Sequence, residues 1–156
     1  MTSERIILSK ELLVMNAPGK GLLKVSGILT VIFTAIGIAS GIMLLTVVDD
    51  TVAEFALMGK LISVGTLTTF LLCSLVASLF MFCLGIMAIL GSTKVEKSKM
   101  LFMLGIIAVV LVVINLILNF VMLGGPASWA DYVGFTLNLL LPILITLGAS
   151  KNKKVA

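Results

Sequence analysis

Residues 100–123 read MLFMLGIIAVVLVVINLILNFVML, a run of 24 residues without a single charged side chain. As an α-helix rising about 1.5 Å per residue it covers roughly 36 Å, more than the hydrocarbon core of a bilayer at about 30 Å. Its apolar residues lie on every side of the helix, so it has no face suited to water. Lipid is the solvent that such a segment fits.

Three further runs of the same kind flank it, at about Val25–Val48, Leu61–Leu90 and Tyr132–Ala149. Hydrophobic residues make up 60% of the 156-residue chain and charged residues 12%, more apolar than any soluble domain of this size can hide. The reading is an all-α membrane protein, a four-helix transmembrane bundle. Residues 1–20 form a cytoplasmic or interfacial N-terminal segment, 21–149 the transmembrane domain and 150–156 a basic tail. The charges of the N-terminal segment (Glu4, Arg5, Lys10, Glu11, Lys20) scatter around a helix, which makes it a poor amphipathic helix.

The connections are short. Asn16-Ala17-Pro18-Gly19 is a turn signal before the first span, and Asp49–Lys60 is an acidic link after it. The second span, at 30 residues, exceeds a straight crossing and is expected to tilt or to extend past the bilayer. Lys94, Lys97 and Lys99 with Glu96 make a tight basic hairpin before the third span. Gly124-Gly125-Pro126 breaks that span, and Pro126 suits the opening of the next helix, where its missing N–H costs nothing. Trp129 and Tyr132 lie where an aromatic belt anchors a helix end.

Lysine and arginine set the orientation. Arg5, Lys10, Lys20, Lys24, Lys94, Lys97, Lys99, Lys151, Lys153 and Lys154 fall on one side of a four-span layout, and only Lys60 on the other. The positive-inside rule makes the ten-residue side cytoplasmic, so both termini are expected there. Short loops make sequential helices antiparallel neighbours, an up-down-up-down bundle. The expected location is the plasma membrane. The net charge of +4 is spent on this orientation; it forms no aromatic-interleaved basic patch, so no nucleic-acid partner is expected.

The sequence excludes much chemistry. With no histidine there is no bis-histidine haem, no histidine-ligated zinc or copper and no histidine-based triad. No Asp, Glu, Lys or Arg lies inside the four spans, whereas proton- and ion-coupled transporters keep an ionisable residue at depth. Cys73 and Cys83 are ten residues apart on one helix, roughly 15 Å of rise, beyond the 7 Å or so that a disulfide tolerates. The nine methionines read as apolar filler. No cofactor, metal site or enzymatic activity is expected.

Polar and small residues mark where helices meet. Gly105, Ala108, Val112, Asn115 and Asn119 recur at steps of three and four on the third span, one face with two asparagines that need hydrogen-bond partners in hydrocarbon. Asn138, Pro142 and Thr146 follow steps of four on the last span, where Pro142 cannot donate to the Asn138 carbonyl and a kink is expected. Gly37 and Gly41 make a GxxxG in the first span. Gly65, Thr69, Cys73 and Ala77 make a four-step stripe in the second. The four-span layout resembles tetraspan and claudin-type proteins in topology alone, because the first outer link is short and lacks the cysteine pair and Trp-rich motif of claudins. Small multidrug exporters keep a buried glutamate in their first span, which this chain does not have.

These features point to an accessory or structural subunit whose partners are the lipid bilayer and other membrane subunits or further copies of itself. The alternative is a small channel or carrier using Asn115, Asn119, Asn138 and the Pro142 break. A third reading is an immunity or stress-protection protein of the membrane.

Overall fold

The computed structural model describes residues 17–47, 54–57, 60–124 and 129–153. Four long helices dominate: α1 (Lys20–Val47), α2 (Val64–Gly91), α3 (Ser98–Leu123) and α4 (Trp129–Lys153). Each is long and apolar enough to cross a membrane, the architecture of a multi-pass membrane protein. Between 11% and 28% of the most apolar stretch of each helix is buried within the chain. Most of the helical surface is therefore left for lipid or for other proteins. Val25, Met43, Val76, Ile117 and Val121 are among the large apolar side chains that face outward.

Local chemistry sets the helix ends. The Gly19 carbonyl accepts the first α1 bond, from Leu23 N–H at 2.9 Å, just after the expected turn. A short antiparallel hairpin, β1 (Glu54–Leu57) and β2 (Lys60–Ser63), occupies much of the link between α1 and α2, with Leu57 paired to Lys60 and Glu54 to Ser63. The α2 helix therefore begins at Val64 rather than at Leu61. Ser63 has extended backbone and ends the strand, and its Oγ accepts the Thr66 N–H at 3.3 Å to cap the helix. At the far end Ser92 Oγ donates to the Ile89 carbonyl at 2.8 Å, and a single 3-10 turn, Val95–Lys97, leads into α3. Gly124 closes α3 with φ of 84°, a left-handed conformation that glycine adopts without strain, and its N–H donates to Phe120 O at 3.1 Å. Asp49, Asp50, Pro126 and most of the N-terminal segment lie outside the described residues.

The helices form a closed ring of neighbours. The α1 helix packs most extensively on α2, and α3 on α4; α1–α4 and α2–α3 contacts complete the circuit. Glycines bring backbones together at two of these crossings. A Cβ on Gly27 would lie 2.8 Å from the Gly85 carbonyl oxygen, and one on Gly85 would lie 3.0 Å from the Gly27 carbonyl oxygen. A Cβ on Gly19 would collide with the Gly148 carbonyl oxygen, and one on Gly148 would meet Leu23 at 2.9 Å. Only glycine permits this spacing, and in lipid close packing is the main source of helix–helix attraction.

The Gly19–Gly148 crossing adjoins a polar clasp. Asn152 is fully buried; its Oδ1 accepts the Gly19 N–H at 2.6 Å and its Nδ2 donates to the Ser92 carbonyl at 3.4 Å. One side chain thereby ties the start of α1, the end of α2 and the end of α4. The main apolar core lies beside it: Leu23, Leu84, Leu101, Ala108 and Ile145, with Met81 nearest the bundle's middle. A smaller cluster of Ile62, Leu67 and Leu71 sits near the hairpin, with Leu44, Leu45 and Met122 packed against it.

Two substitutions test this packing. Gly27→Val forces a side chain into the Gly85 backbone and is expected to cost about 1–3 kcal/mol, read as a lower thermal midpoint in mild detergent. An unchanged midpoint would mean that α1 and α2 do not approach there. Asn152→Leu leaves the Gly19 N–H without its acceptor and is expected to cost about 1–3 kcal/mol in the same assay. Hydrogen exchange at Gly19 and Lys20 should accelerate with it.

Candidate functional site: a polar cavity inside the bundle

Between the two apolar clusters the four helices leave a cavity of about 190 Å³. Each helix contributes polar atoms to its wall. Thr34 comes from α1, Ser74 and Ser78 from α2, Asn115 from α3 and Asn138 from α4. Met81, Val112, Leu116, Phe135 and Leu139 supply the apolar part. Met81 belongs to the main core as well, so that core closes the cavity on the side of the Asn152 clasp.

Helical spacing explains how these side chains arrive together. On α1, Ser26, Thr30 and Thr34 follow one another at steps of four on a buried face. Each hydroxyl returns a hydrogen bond to its own helix: Ser26 to Leu22 O at 2.6 Å, Thr30 to Ser26 O at 2.7 Å and Thr34 to Thr30 O at 2.6 Å. Such back-bonding lets a hydroxyl be buried in an apolar setting without a partner from another helix. Ser74 and Ser78 are one turn apart on α2. Asn115 Nδ2 reaches across to Ser74 Oγ at 3.2 Å, the hydrogen bond that joins α3 to α2 at this depth.

Of the residues expected from the sequence to matter, the structure brings Asn115 and Asn138 to the same cavity. Asn119, one turn along α3, is half-buried and is not part of the wall. Pro142 is fully buried, and α4 is one helix from Trp129 to Lys153 with Pro142 inside it. Its carbonyl accepts the Thr146 hydroxyl at 2.7 Å, and Thr146 in turn packs so tightly on Gly105 that a Cβ there would collide with its Oγ1. Gly105 and Ala108 are buried and Val112 is half-buried, so the cavity-facing side of α3 continues into the core.

The small-residue stripes lie elsewhere. Among the described residues nothing would stand within 4 Å of a Cβ on Gly37 or Gly65, and Gly41 makes only ordinary contact with Leu75 at 3.6 Å. Thr69 is exposed, its hydroxyl bonded to Gly65 O at 2.8 Å, and Cys73 is exposed as a free thiol. Ala77 alone of that stripe reaches the cavity. Among the described residues, the glycines that do meet another helix closely are Gly19, Gly27, Gly85, Gly91, Gly105 and Gly148.

The sequence reading passed over Thr34, Ser74, Ser78 and Asn152. A signal existed for the first three, since Ser26-Thr30-Thr34 and Ser74-Ser78 both repeat at four, the step that aligns side chains on one helical face. Asn152 gave none, because in sequence it stands among the lysines of the tail.

The wall carries hydroxyls and carboxamides but no acid, base or cation. A serine without a neighbouring base is not an activated nucleophile, so these groups can bind a guest and order it but not move its protons. Among the described residues no group of three or more His, Cys, Asp or Glu side chains is placed to hold a metal ion. No known protein-family model, curated protein or solved structure matches the chain.

Proposed function

We propose that this chain is a non-catalytic accessory or structural subunit of the plasma membrane, built up-down-up-down with both termini in the cytoplasm. It joins a larger membrane assembly or a ring of its own copies. The observation that carries this reading is the outward placement of Gly37, Gly65, Thr69 and Cys73. Small side chains let another backbone come close, and among the described residues no helix of the same chain uses that opportunity at Gly37 or Gly65. The lysines of residues 94–99 and 151–153 adjoin the Asn152 clasp, so the positive-inside rule supports a cytoplasmic side at that end.

A second reading is favoured by one observation, the meeting of Asn115 and Asn138 in an intramembrane cavity. A carrier for an uncharged solute would use such a site, and the apolar core would be its closed gate.

Native mass spectrometry of the chain released from its own membrane into mild detergent tests the subunit reading. The expected result is a defined hetero-complex or homo-oligomer, shifted toward monomer by Gly65→Leu with Cys73→Leu. A chain that is strictly monomeric and retains nothing would overturn it. The carrier reading predicts solute flux into proteoliposomes that disappears in Asn115→Leu with Asn138→Leu while circular dichroism stays helical. Absence of flux for every neutral solute tried would remove it.

A further inference from the structure

The polar atoms on the cavity wall outnumber the bonds they make. An asparagine side chain offers two donors and two lone pairs, and a serine hydroxyl one donor and two lone pairs. Asn138 and Ser78 have no side-chain hydrogen bond to any other described residue, while Asn115 uses one N–H on Ser74 and keeps its carbonyl oxygen. Hydroxyls elsewhere on α1 satisfy themselves on their own helix; the half-buried Ser78 and Asn115 and the exposed Asn138 line one open cavity instead. At the depth of a bilayer an unmet polar group is costly, and cavities that stay dry are apolar ones.

We infer that this cavity is a binding site for an uncharged group that both donates and accepts hydrogen bonds, a hydroxyl-bearing head. Charge is decided by the wall: it holds no Asp, Glu, Lys, Arg or His to pair with an ion, and an unpaired charge at that depth is disfavoured. Size is decided by the volume. About 190 Å³ is below the range of roughly 300–1,000 Å³ of pockets that enclose drug-sized molecules, so the space takes a small head or a small solute. Phe135, Leu116 and Leu139 give its carbon skeleton apolar contact. Such a head could belong to a molecule dissolved in the bilayer by an apolar tail, or to a small neutral solute from water. The inference needs no assembly and is independent of the subunit reading; it concerns the site that the carrier reading uses, and binding without flux would separate the two.

Glycerol and 1-oleoylglycerol share a head group and differ in the tail, which makes them the probes. The full chain, with its asparagine side-chain amides labelled with nitrogen-15, is placed in phosphatidylcholine nanodiscs and titrated with each. Saturable movement of the Asn115 and Asn138 amide resonances by either probe is expected, with affinity about tenfold weaker in Asn138→Leu and in Ser78→Ala and unchanged in the outward-facing Ile107→Ala. Movement by 1-oleoylglycerol alone assigns the site to a bilayer-dissolved ligand, and movement by glycerol to an aqueous one. If neither probe moves these resonances, or binding is the same in both cavity variants, the cavity holds water only and the inference is overturned. Should Asn138→Leu fail to fold, the Ser78→Ala variant and the native-chain resonances decide the question.

Discussion

The close approach of α1 and α2 at Gly27 and Gly85 is the contact on which the bundle depends. In lipid the outer surface of a helix is already in an apolar solvent, so burying a leucine against another helix gains little. What remains is dense contact between surfaces that fit, and the nearest fit is backbone on backbone. The Gly19–Gly148 crossing repeats the device between α1 and α4, and together they leave α1 held on two sides. Asn152 then fixes the register of three helix ends with one carboxamide.

That tightness is confined to one part of the molecule. From the Asn152 clasp to Met81 the interior is filled by Leu23, Leu84, Leu101 and Ile145. Past Met81 the facing positions become Thr34, Ser74, Ala77, Ser78, Asn115 and Asn138, side chains smaller or more polar than leucine, and the packing opens into a cavity. The contrast between α1 and α4 is instructive. Thr34 spends its hydroxyl on its own helix, whereas a carboxamide such as Asn138 has four hydrogen-bonding positions and must look outward for partners.

The candidate site was only partly legible. Asn115 stood out because an amide in a run of Val, Ile and Leu has no reason to be there unless something meets it. Asn138 stood out for the same reason. The sequence could not say that these two share a cavity while Asn119 does not, since that depends on how far α3 and α4 separate along their length. The small-residue patterns misdirect in a similar way. Gly37–Gly41 satisfies the GxxxG spacing yet Gly37 faces away from the chain, while Gly27, Gly85 and Gly148 form the close crossings without such a motif between them. Spacing identifies a face; the partner helix decides whether it is used.

By itself the sequence determined four helices of membrane-crossing length, because backbone groups in lipid must be satisfied within their own segment and twenty or so apolar residues leave a helix as the local solution. It also determined the absence of ionisable groups at depth, which is simple composition. The tertiary structure decided the hairpin that starts α2 at Val64, the role of Asn152, the glycine crossings and the cavity. All of these come from pairs of residues distant in the chain, such as Gly19 with Asn152 or Ser74 with Asn115, and their meeting is set by how the helices pack. Helix formation is local; recognition between helices is not.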